Sequence, residues 1–503
     1  MDPIFRLILT ARVYDIVKET PLDFAVNLSK KLNNRILLKR EDLQDVFSFK
    51  IRGAYNKIVN LSDEQKKKGV IAASAGNHAQ GVALSSKVLG IKAIIVMPET
   101  TPQIKVEAVK RHGAEVVLKG DNYSEAYEHC KTLTKETGLT YIPPFDDELV
   151  IAGQGTIGLE ILRQTSKEIP YAVFVPIGGG GLIAGIATYI KNIYPQVKVI
   201  GVEPTESNAM YLSIKEGKRV VLDKVGIFAD GVAVKEVGEI TFKKTKEYVD
   251  DIILVNVDEI ASAIKDIYYD TRHIVEPAGA LAVAGIKKYV KDKGIKDKTL
   301  VAINSGANMN FDRLSYVAER AIIGEKQEAL YAVKIPERPG EFKRFCQRVI
   351  QDKNVSEFHY RLSSRKEAYL LVGLTIDYEK ENQKMLERMR KEGYYAMDVT
   401  PNELIKDHIK YMIGGKSPFA ENEIFYNFRF PEKAGALMKF LSKMKEKWNI
   451  SVFHYRRHGG EFGRVFVGFE IPEGEREEFN KFLKELNYDY TEETTNIACR
   501  LFL

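Results

Sequence analysis

Three short segments of the chain carry residue types that could do chemistry together. Lys50, in Ser48-Phe49-Lys50, supplies an amine that can form a Schiff base once a pocket lowers its pKa. Two glycine-containing segments expose backbone N–H groups that suit anions: Ser74, Ala75, Gly76 and Asn77, then Gly178, Gly179, Gly180, Gly181 and Leu182. Taken alone, Ser48-Phe49-Lys50 also fits a surface lysine at the start of a helix, so the other segments decide its meaning.

The glycine run Gly178–Gly181 lies between an apolar strand, Ala172–Ile177, and a helical stretch, Leu182–Ile193. A turn of this kind exposes N–H groups at a helix N-terminus, where a phosphate can bind. A tight turn between a strand and a helix is the structural alternative, but four consecutive glycines exceed what such a turn requires. The run therefore favours a phosphate site.

Two further strand ends carry polar groups. The sequence SAGNHAQG, Ser74–Gly81, follows the strand Val70–Ala73 and opens a helix. Its amides can approach a carboxylate, and Asn77 can reach a phenolate oxygen. Ser305 ends another buried strand, where its hydroxyl could meet a pyridine nitrogen or simply form a turn. A lysine, two anion sites and this hydroxyl together favour pyridoxal phosphate as cofactor and an amino acid as substrate.

A dinucleotide site is the competing interpretation of the glycine run. Gly179-x-Gly181-x-x-Ala184 fits the dinucleotide fingerprint, and Glu203 closes the next strand near the spacing of a ribose-binding acid. This interpretation leaves Lys50 and Ser305 unexplained, so an NAD-dependent oxidoreductase is the second hypothesis. A non-catalytic amino-acid sensor is the third.

Composition and charge argue against several classes of function. The 503 residues exceed one hydrophobic core, and 45% hydrophobic with 29% charged residues is ordinary for a globular protein. A net charge of +6, from 75 basic and 69 acidic residues, argues against a nucleic-acid partner. The three cysteines, Cys130, Cys346 and Cys499, have no zinc-site spacing. Since no membrane-length apolar run or signal peptide is visible, we expect no membrane association and a cytoplasmic location.

From about residue 35 to 325, strand patterns alternate with helical ones. The strands are near-continuous Val, Ile and Ala runs, typical of parallel sheets covered on both faces: Arg35–Leu38, Val70–Ser74, Ala93–Met97, Glu115–Leu118, Ala172–Ile177, Val197–Val202 and Leu300–Asn304. Amphipathic stretches such as Gln103–Arg111 lie between them. The pattern predicts an α/β fold with ligands at the carboxyl ends of the strands.

After residue 325 the sequence repeats itself at a constant offset of 95 residues. Phe358-His359-Tyr360-Arg361 returns as Phe453-His454-Tyr455-Arg456, and Val372-Gly373 returns as Val467-Gly468. A fixed offset through matched elements indicates a duplicated module. Each copy follows the order strand, helix, strand, strand, helix, strand. We therefore expect two ferredoxin-like domains, 329–400 and 424–495, after a catalytic domain at 1–325.

These motifs, in this order, resemble the threonine ammonia-lyase (threonine deaminase) family, which are fold-type-II, tryptophan synthase β-like pyridoxal-phosphate enzymes. The resemblance covers nearly the whole chain and includes Arg40-Glu41-Asp42, Ser48-Phe49-Lys50, SAGNHAQG, GGGGL, Ser305–Phe311, Tyr316–Arg320 and both Phe-His-Tyr-Arg copies. The tail is similar to the family's two ACT-like regulatory domains, which sense isoleucine and valine. The resemblance implies deamination of L-threonine to a 2-oxo acid and ammonia, with L-serine as an alternative substrate. It also implies feedback inhibition by isoleucine and a homotetramer.

The resemblance further implies a role for each candidate residue. Lys50 would bind the cofactor covalently and Phe49 would lie against its ring, while Asn77 would bind the phenolic oxygen. The segment from Gly178 to Leu182 would bind the phosphate and Ser305 the ring nitrogen. The segment from Ser74 to Asn77 would hold the substrate carboxylate. The candidate effector contacts are Tyr360, Arg361, Tyr455 and Arg456, although both stretches also fit strands that only pack.

One departure separates the chain from related racemases. Serine racemase-like relatives carry a divalent-metal pattern that begins at a Glu-Pro closing a strand, with an acid six residues later. Glu203-Pro204 is present here, but Ala209 occupies the position of the acid. We therefore expect no metal at this position and a deaminase rather than a racemase.

Overall fold

The computed structural model describes residues 2–226, 228–407, 409–412, 414–431, 435–444, 447–456, 462–496, 499 and 503, with the backbone alone at 407, 431, 456 and 462–464. The chain forms two compact units, Met1–Gly324 and Glu325–Leu503. The first unit has mostly parallel sheets, and the second has one antiparallel sheet. The expected change of architecture near residue 325 is therefore observed.

The first unit alternates strands and helices along its length. Its strands are β1 (Leu22–Phe24), β2 (Arg35–Arg40), β3 (Val70–Ala73), β4 (Ala93–Met97), β5 (Glu115–Leu118), β6 (Thr140–Tyr141), β7 (Ala172–Pro176), β8 (Lys198–Pro204), β9 (Asp251–Val255) and β10 (Thr299–Asn304). Its helices are α1 (Pro3–Leu9), α2 (Val26–Leu32), α3 (Lys50–Val59), α4 (Asp63–Lys68), α5 (Asn77–Val88), α6 (Gln103–Arg111), α7 (Tyr123–Thr137), α8 (Glu148–Gln164), α9 (Gly181–Ile193), α10 (Ala209–Glu216), α11 (Glu239–Tyr248), α12 (Val257–Thr271), α13 (Pro277–Lys293) and α14 (Leu314–Gly324).

These strands form two separate sheets. The larger has the order β1-β2-β10-β7-β8-β9, in which β1 runs antiparallel to β2 and the other pairs are parallel. The smaller has the order β5-β4-β3-β6 and is parallel throughout. Every residue of β3, β4, β7 and β10 is buried, as the near-continuous apolar runs predicted.

The second unit contains two copies of one module. The first copy comprises β11 (Glu328–Pro336), α15 (Glu341–Phe345, continued by a π-helical turn at Cys346–Ile350), β12 (Asn354–Arg361), β13 (Glu367–Thr375), α16 (Tyr378–Lys391) and β14 (Tyr395–Asp398). After α17 (Glu403–Asp407), the second copy comprises β15 (Glu423–Pro431), α18 (Ala436–Met444), β16 (Asn449–Arg456), β17 (Phe462–Glu470), α19 (Arg476–Leu486) and β18 (Asp489–Glu492).

The two modules share a single eight-stranded antiparallel sheet in the order β14-β11-β13-β12-β16-β17-β15-β18. They join where β12 pairs with β16, and His359 lies opposite His454. These two histidines are also 95 residues apart, so a pseudo-two-fold axis passes between them. Core residues from both modules form one cluster that includes Phe358 and Phe453. Whether 329–400 and 424–495 are separate domains stays a prediction.

Candidate active site

The first unit encloses a cavity of about 1570 Å³. All the predicted cofactor and substrate residues of this unit line it: Phe49, Lys50, Ser74, Ala75, Gly76, Asn77, Gly178, Gly179, Gly180, Gly181, Leu182 and Ser305. These residues follow the carboxyl ends of β3, β7 and β10, or lie at the start of α3. Parallel strands present ligand sites at that edge, so the sheet topology brings the separate motifs together.

Backbone hydrogen bonds hold the segment around Lys50 against the segment around Ser305. The N–H of Phe49 donates to the carbonyl oxygen of Ser305 at 3.1 Å, and the N–H of Ala307 donates to that of Phe47 at 2.9 Å. Lys50 is the first residue of α3. The lysine is therefore fixed beside the strand end that carries the serine.

The amine of Lys50 lies in a low-dielectric part of the cavity. Burial lowers the pKa of Lys50 to about 8, although the nearby carboxyl of Glu276 acts in the opposite direction. Its Nζ donates to the carbonyl oxygen of Pro144 at 3.4 Å and lies 5.2 Å from the ring centroid of Phe49. A larger fraction of neutral amine is available near pH 7 than for an exposed lysine, and the neutral amine is the nucleophile.

A buried ionic network holds the first turn of α3. The guanidinium of Arg52 donates to Glu41 at 2.7 Å and to Glu160 at 2.6 Å, and Lys39 pairs with Glu160 at 2.6 Å. All four side chains are fully buried. Because two positive charges balance two negative ones, the network is neutral in total. It fixes the helix two residues beyond Lys50.

The glycine run has the geometry of an anion cradle. Gly180 has a φ of +93°, a conformation that L side chains rarely adopt, and α9 starts at the next residue. A Cβ at Gly179 would overlap the ring of Phe145. The carbonyl oxygen of Gly179 accepts from the Thr241 hydroxyl at 2.6 Å. The first N–H groups of α9 have no intrahelical acceptor, so they can bind a phosphate from the cavity.

The Ser74–Asn77 loop lies at the N-terminus of α5, a twelve-residue helix. A Cβ at Gly76 would meet no atom within 4 Å, so this backbone borders open space. The hydroxyl of Ser74 accepts from the N–H of Gly76 at 3.3 Å. The loop therefore offers small residues and a helix N-terminus to a carboxylate.

His78, which follows this loop, has a structural environment. Its Nε2 donates to the carbonyl oxygen of Ile142 at 2.8 Å, since a carbonyl can only accept. Burial and the nearby Lys50 lower the pKa of His78 to about 3. The ring is therefore neutral near pH 7.

Ser305 is buried beside the cavity, and its hydroxyl donates to the carbonyl oxygen of Ala278 at 3.2 Å. Its side chain is uncharged, so a ring nitrogen held here would face a neutral partner. The roles predicted for Ser305 and the other cavity residues stay predictions. Their common location in one cavity is observed.

Two cavity residues were missed by the sequence analysis. Glu276 is 4% exposed and accepts from Asn77 Nδ2 at 2.6 Å. Asp230 pairs with Lys105 of α6 at 2.9 Å. Burial, with Asp230 as a second cause, raises the pKa of Glu276 to about 7. Glu276 precedes Pro277 at the start of α13, but a Glu-Pro before a helix indicates only a helix start.

Glu203, the candidate ribose-binding acid of the dinucleotide hypothesis, is fully buried. Its two carboxyl oxygens accept from the N–H groups of Met210 at 2.9 Å and Tyr211 at 2.8 Å. Glu203 therefore binds the N-terminal turn of α10, which starts at Ala209. Glu203 therefore has a structural role, and the oxidoreductase hypothesis loses its ribose-binding acid.

In the second unit, the first Phe-His-Tyr-Arg copy is internally bonded. Tyr360 is 3% exposed and donates its hydroxyl to Glu337 at 2.6 Å. Arg361 donates to Glu423 at 2.5 Å and to the carbonyl oxygens of Gly415 and Ser451. These contacts join one module to the other and to the segment between them.

The second copy has fewer described contacts. Tyr455 is 8% exposed and pairs with Phe358 across the β12–β16 junction. The backbone of Arg456 pairs with Glu357, but the side chain of Arg456 lies outside the described residues. The effector role of all four residues stays a prediction.

Two family models match the chain. Residues 13–306 match the pyridoxal-phosphate dependent enzyme family. Residues 319–409 and 414–503 match the C-terminal regulatory domain of threonine dehydratase, one match for each module. The chain belongs to the threonine dehydratase family of pyridoxal-phosphate-dependent enzymes. The family match confirms the predicted cofactor class and the fold-type-II α/β architecture.

Relatives support this assignment over the full length. The biosynthetic L-threonine dehydratase of Burkholderia multivorans is 53% identical over 99% of this chain and 98% of its own. That of Escherichia coli is 48% identical over 99% and 96%. The chloroplastic biosynthetic threonine dehydratase of Arabidopsis thaliana is 53% identical over 96% and 81%.

Solved structures are similar over about three-fifths of the chain. The processed threonine deaminase isoform 2 of Solanum lycopersicum is 54% identical, with a TM-score of 0.62 over 63% of this chain and 87% of its own. Maize serine racemase is 32% identical, with a TM-score of 0.58 over 63% and 97%. The fold is therefore shared by deaminases and racemases of the pyridoxal-phosphate family. Among the described residues, no helix is long and apolar enough to cross a membrane.

Proposed function

We propose that this member of the threonine dehydratase family deaminates L-threonine to 2-oxobutanoate and ammonia. The observation that carries the proposal is the position of Lys50 in one cavity with the glycine run, the Ser74–Asn77 loop and Ser305. The biosynthetic relatives, at about 50% identity over the whole chain, support threonine as substrate and the route to isoleucine as the pathway. L-Serine is a second candidate substrate.

The cavity suits pyridoxal phosphate because each part of that molecule has a chemically matched partner. Lys50 would bind it covalently beside Phe49, and the cradle of Gly178–Leu182 would bind its phosphate. Asn77 would hold the phenolic oxygen and Ser305 the ring nitrogen. When bound, the cofactor supplies an electron sink that makes the Cα–H of an amino acid acidic.

The substrate carboxylate binds at the Ser74–Asn77 loop, where the N-terminus of α5 favours negative charge. This contact orients the Cα–H toward Lys50 Nζ. Holding the reacting groups together replaces an encounter in solution with a reaction inside one complex. The loop residues orient the substrate and transfer no proton in the reaction.

The substrate's amine would first displace Lys50 from the cofactor, and the freed Lys50 Nζ is the base that removes the Cα proton. Burial lowers the pKa of this amine to about 8, which brings it closer to neutral pH and makes a proton-accepting form accessible. His78 is unsuited to this task because burial and the nearby Lys50 lower its pKa to about 3, which makes its ring a weak base. Loss of the β-hydroxyl and hydrolysis of the released product then yield 2-oxobutanoate and ammonia.

The neutral hydroxyl of Ser305 favours elimination over competing reactions. Ser305 would offer the cofactor's ring nitrogen an uncharged partner that does not protonate it, and the weaker electron sink would favour prompt loss of the β-hydroxyl. Replacement of Ser305 with Asp should raise transamination and racemisation relative to deamination. Unchanged product ratios would contradict this role.

For the second unit we propose feedback inhibition by isoleucine and modulation by valine. The duplicated regulatory module supports binding of small-molecule effectors. An effector inhibits only if it binds two conformations with different affinity, and such coupling is typically about 1–3 kcal/mol. Tyr360, Arg361, Tyr455 and Arg456 are the proposed contacts. The homotetramer and the cytoplasmic location also remain predictions, and light scattering of the purified chain tests the first.

The test is production of 2-oxo acid from threonine, with and without isoleucine. The wild type should be yellow and active, and Lys50→Ala should lose both the visible absorbance and turnover. Lys66→Ala, in the exposed helix α4, is the matched control and should behave as wild type. A Lys50→Ala variant with wild-type turnover would end the assignment.

The same preparation separates the rival hypotheses. A colourless wild type that binds NAD would favour the oxidoreductase. A colourless wild type that still binds isoleucine would favour the non-catalytic sensor.

A further inference from the structure

Asn77 belongs to a chain of hydrogen bonds whose direction can be assigned. The carbonyl oxygen of Val46 can only accept, so Asn308 must present Nδ2 to it, at 2.8 Å. Asn308 Nδ2 also donates to Asn77 Oδ1 at 2.7 Å. With its oxygen occupied in this way, Asn77 presents Nδ2 to Glu276 Oε1 at 2.6 Å. The order is therefore Asn308 to Asn77 to Glu276, with the carboxyl as final acceptor.

The carboxyl of Glu276 is held in place by its surroundings. Its side chain is 4% exposed, and its backbone N–H donates to the carbonyl oxygen of Gly306 at 3.1 Å. A Cβ at Gly306 would lie 2.7 Å from Glu276 Oε1, and one at Gly231 would lie 3.3 Å from it. Glycines at both positions leave room for the carboxyl, and a side chain at either position would displace it.

Asn77 has one N–H to spare. Its Nδ2 carries two protons, and Glu276 binds one of them. Within the part of the chain that the structure describes, the second proton has no acceptor, and Asn77 lines the cavity. Rotation of the amide by 180° would instead place its oxygen against Glu276 and bring two acceptors together.

We propose that Glu276 is a positioning residue that fixes the amide of Asn77 so that an N–H, and not the carbonyl oxygen, faces the bound cofactor. The inference rests on the proposed pyridoxal-phosphate site, because an anionic ring oxygen needs a donor. Glu276 accepts from Asn77 whether or not it is itself protonated, since a carboxyl group has two oxygens. Asn308 Nδ2 also donates to Asn77 Oδ1, so the amide keeps this orientation in both protonation states of Glu276.

Four full-length variants test the clamp: Glu276→Ala, Glu276→Gln, Asn77→Ala and the double variant Glu276→Ala, Asn77→Ala. The measurements are the dissociation constant of pyridoxal phosphate and its visible absorbance maximum without substrate. Glu276→Ala should weaken cofactor binding by about tenfold or more and shift the absorbance, as loss of an orienting partner does elsewhere. Glu276→Gln, which keeps an acceptor oxygen, should restore most of both.

The double variant distinguishes action through Asn77 from a general structural effect. If Glu276 acts through Asn77, then Glu276→Ala should have no further effect when Asn77 is already alanine. Glu203→Gln is a matched control, because Glu203 is another buried acid of this unit that does not contact Asn77. It should leave the absorbance unchanged.

Two outcomes would overturn the inference. One is wild-type cofactor binding and absorbance in Glu276→Ala. The other is an equal loss in the Asn77→Ala background, which would mean that Glu276 acts independently of Asn77. Either result requires a yellow wild type. A colourless wild type would refute the proposed function instead, so the two failures are distinguishable.

Discussion

The cavity of the first unit and the β12–β16 junction of the second contain the two sets of predicted contact residues, and they differ in what those residues face. In the cavity, Lys50 and the glycine run border open space of about 1570 Å³. At the junction, Tyr360 is buried and Arg361 is bonded to Glu423 and to two carbonyl oxygens. Lys50 and the glycine run are accessible to a ligand in the cavity, whereas Tyr360 and Arg361 already have protein partners.

The difference shows what each kind of sequence signal reports. The cavity motifs contain residue types that packing does not require, such as four consecutive glycines and a lysine in a low-dielectric site. The repeated Phe-His-Tyr-Arg motif serves packing and strand pairing. A duplicated module keeps residues of this kind whether or not it binds a ligand. An effector at the junction must therefore compete with bonds inside the protein, which ties its binding to a change in how the modules meet.

The largest expected effect compares two arginines. Arg52→Met should destabilise the first unit by about 3–5 kcal/mol, because it leaves Glu41 and Glu160 buried with one cation between them. Arg361→Met should destabilise the second unit by a smaller amount, about 1–3 kcal/mol, since Arg361 and Glu423 are partly exposed. Urea unfolding measures both losses.

Two probes separate the units in that experiment. The only tryptophan of the chain, Trp448, is buried in the second unit, so its fluorescence follows that unit. The cofactor absorbance follows the first unit. If Arg52→Met and Arg361→Met lose equal amounts of unfolding free energy, the proposed contrast between the cavity and the junction is wrong.

The next effect concerns pH. A lysine attacks the cofactor aldehyde as the neutral amine, and burial lowers the pKa of Lys50 to about 8. Reconstitution of the apoprotein should therefore accelerate roughly tenfold per pH unit below 8 and level off above it. Stopped-flow absorbance measures the rate. An increase that continues unchanged to pH 10 would indicate an ordinary exposed lysine.

The junction should lack such a dependence. Burial and the carboxyl of Glu337 raise the pKa of Tyr360, so its hydroxyl stays protonated over the same range. If Tyr360 is the effector contact, its contribution to isoleucine inhibition should not titrate there.

The smallest effect tests Tyr360 itself. Tyr360→Phe removes the hydrogen bond to Glu337 and should weaken isoleucine inhibition about fivefold, equivalent to about 1 kcal/mol of coupling. Tyr369→Phe is the matched control, because Tyr369 is 60% exposed on the same sheet. Inhibition curves with threonine as substrate give both values. If Tyr360→Phe and the control are indistinguishable, the effector site lies elsewhere.

The sequence predicted most of what local patterns can encode. The buried strand β4 begins and ends at the predicted residues, because an apolar run covered on both faces leaves a clear signal. The partly exposed strand β5 also has the predicted bounds. The three cavity motifs were also found, since a glycine run and SAGNHAQG have few structural explanations. The strand and helix order of both modules followed from the repeat.

Contacts between distant residues were not predictable in the same way. Glu276 binds Asn77 across 199 residues of sequence, and its own neighbours indicate only a helix start. The joining of two modules into one sheet depends on the pairing of β12 with β16, and no residue type encodes that choice of partner. The two-residue strand β6 is too short to leave a pattern.

The shared eight-stranded sheet has a consequence for how the second unit can be divided. If the modules were separated, the first would expose the unpaired backbone amides and carbonyls of β12, and the second those of β16. Such a border is a template for association with any other extended chain, including further copies. In the full chain, each repeat covers the exposed strand edge of the other. Truncated chains that end between the repeats should therefore aggregate.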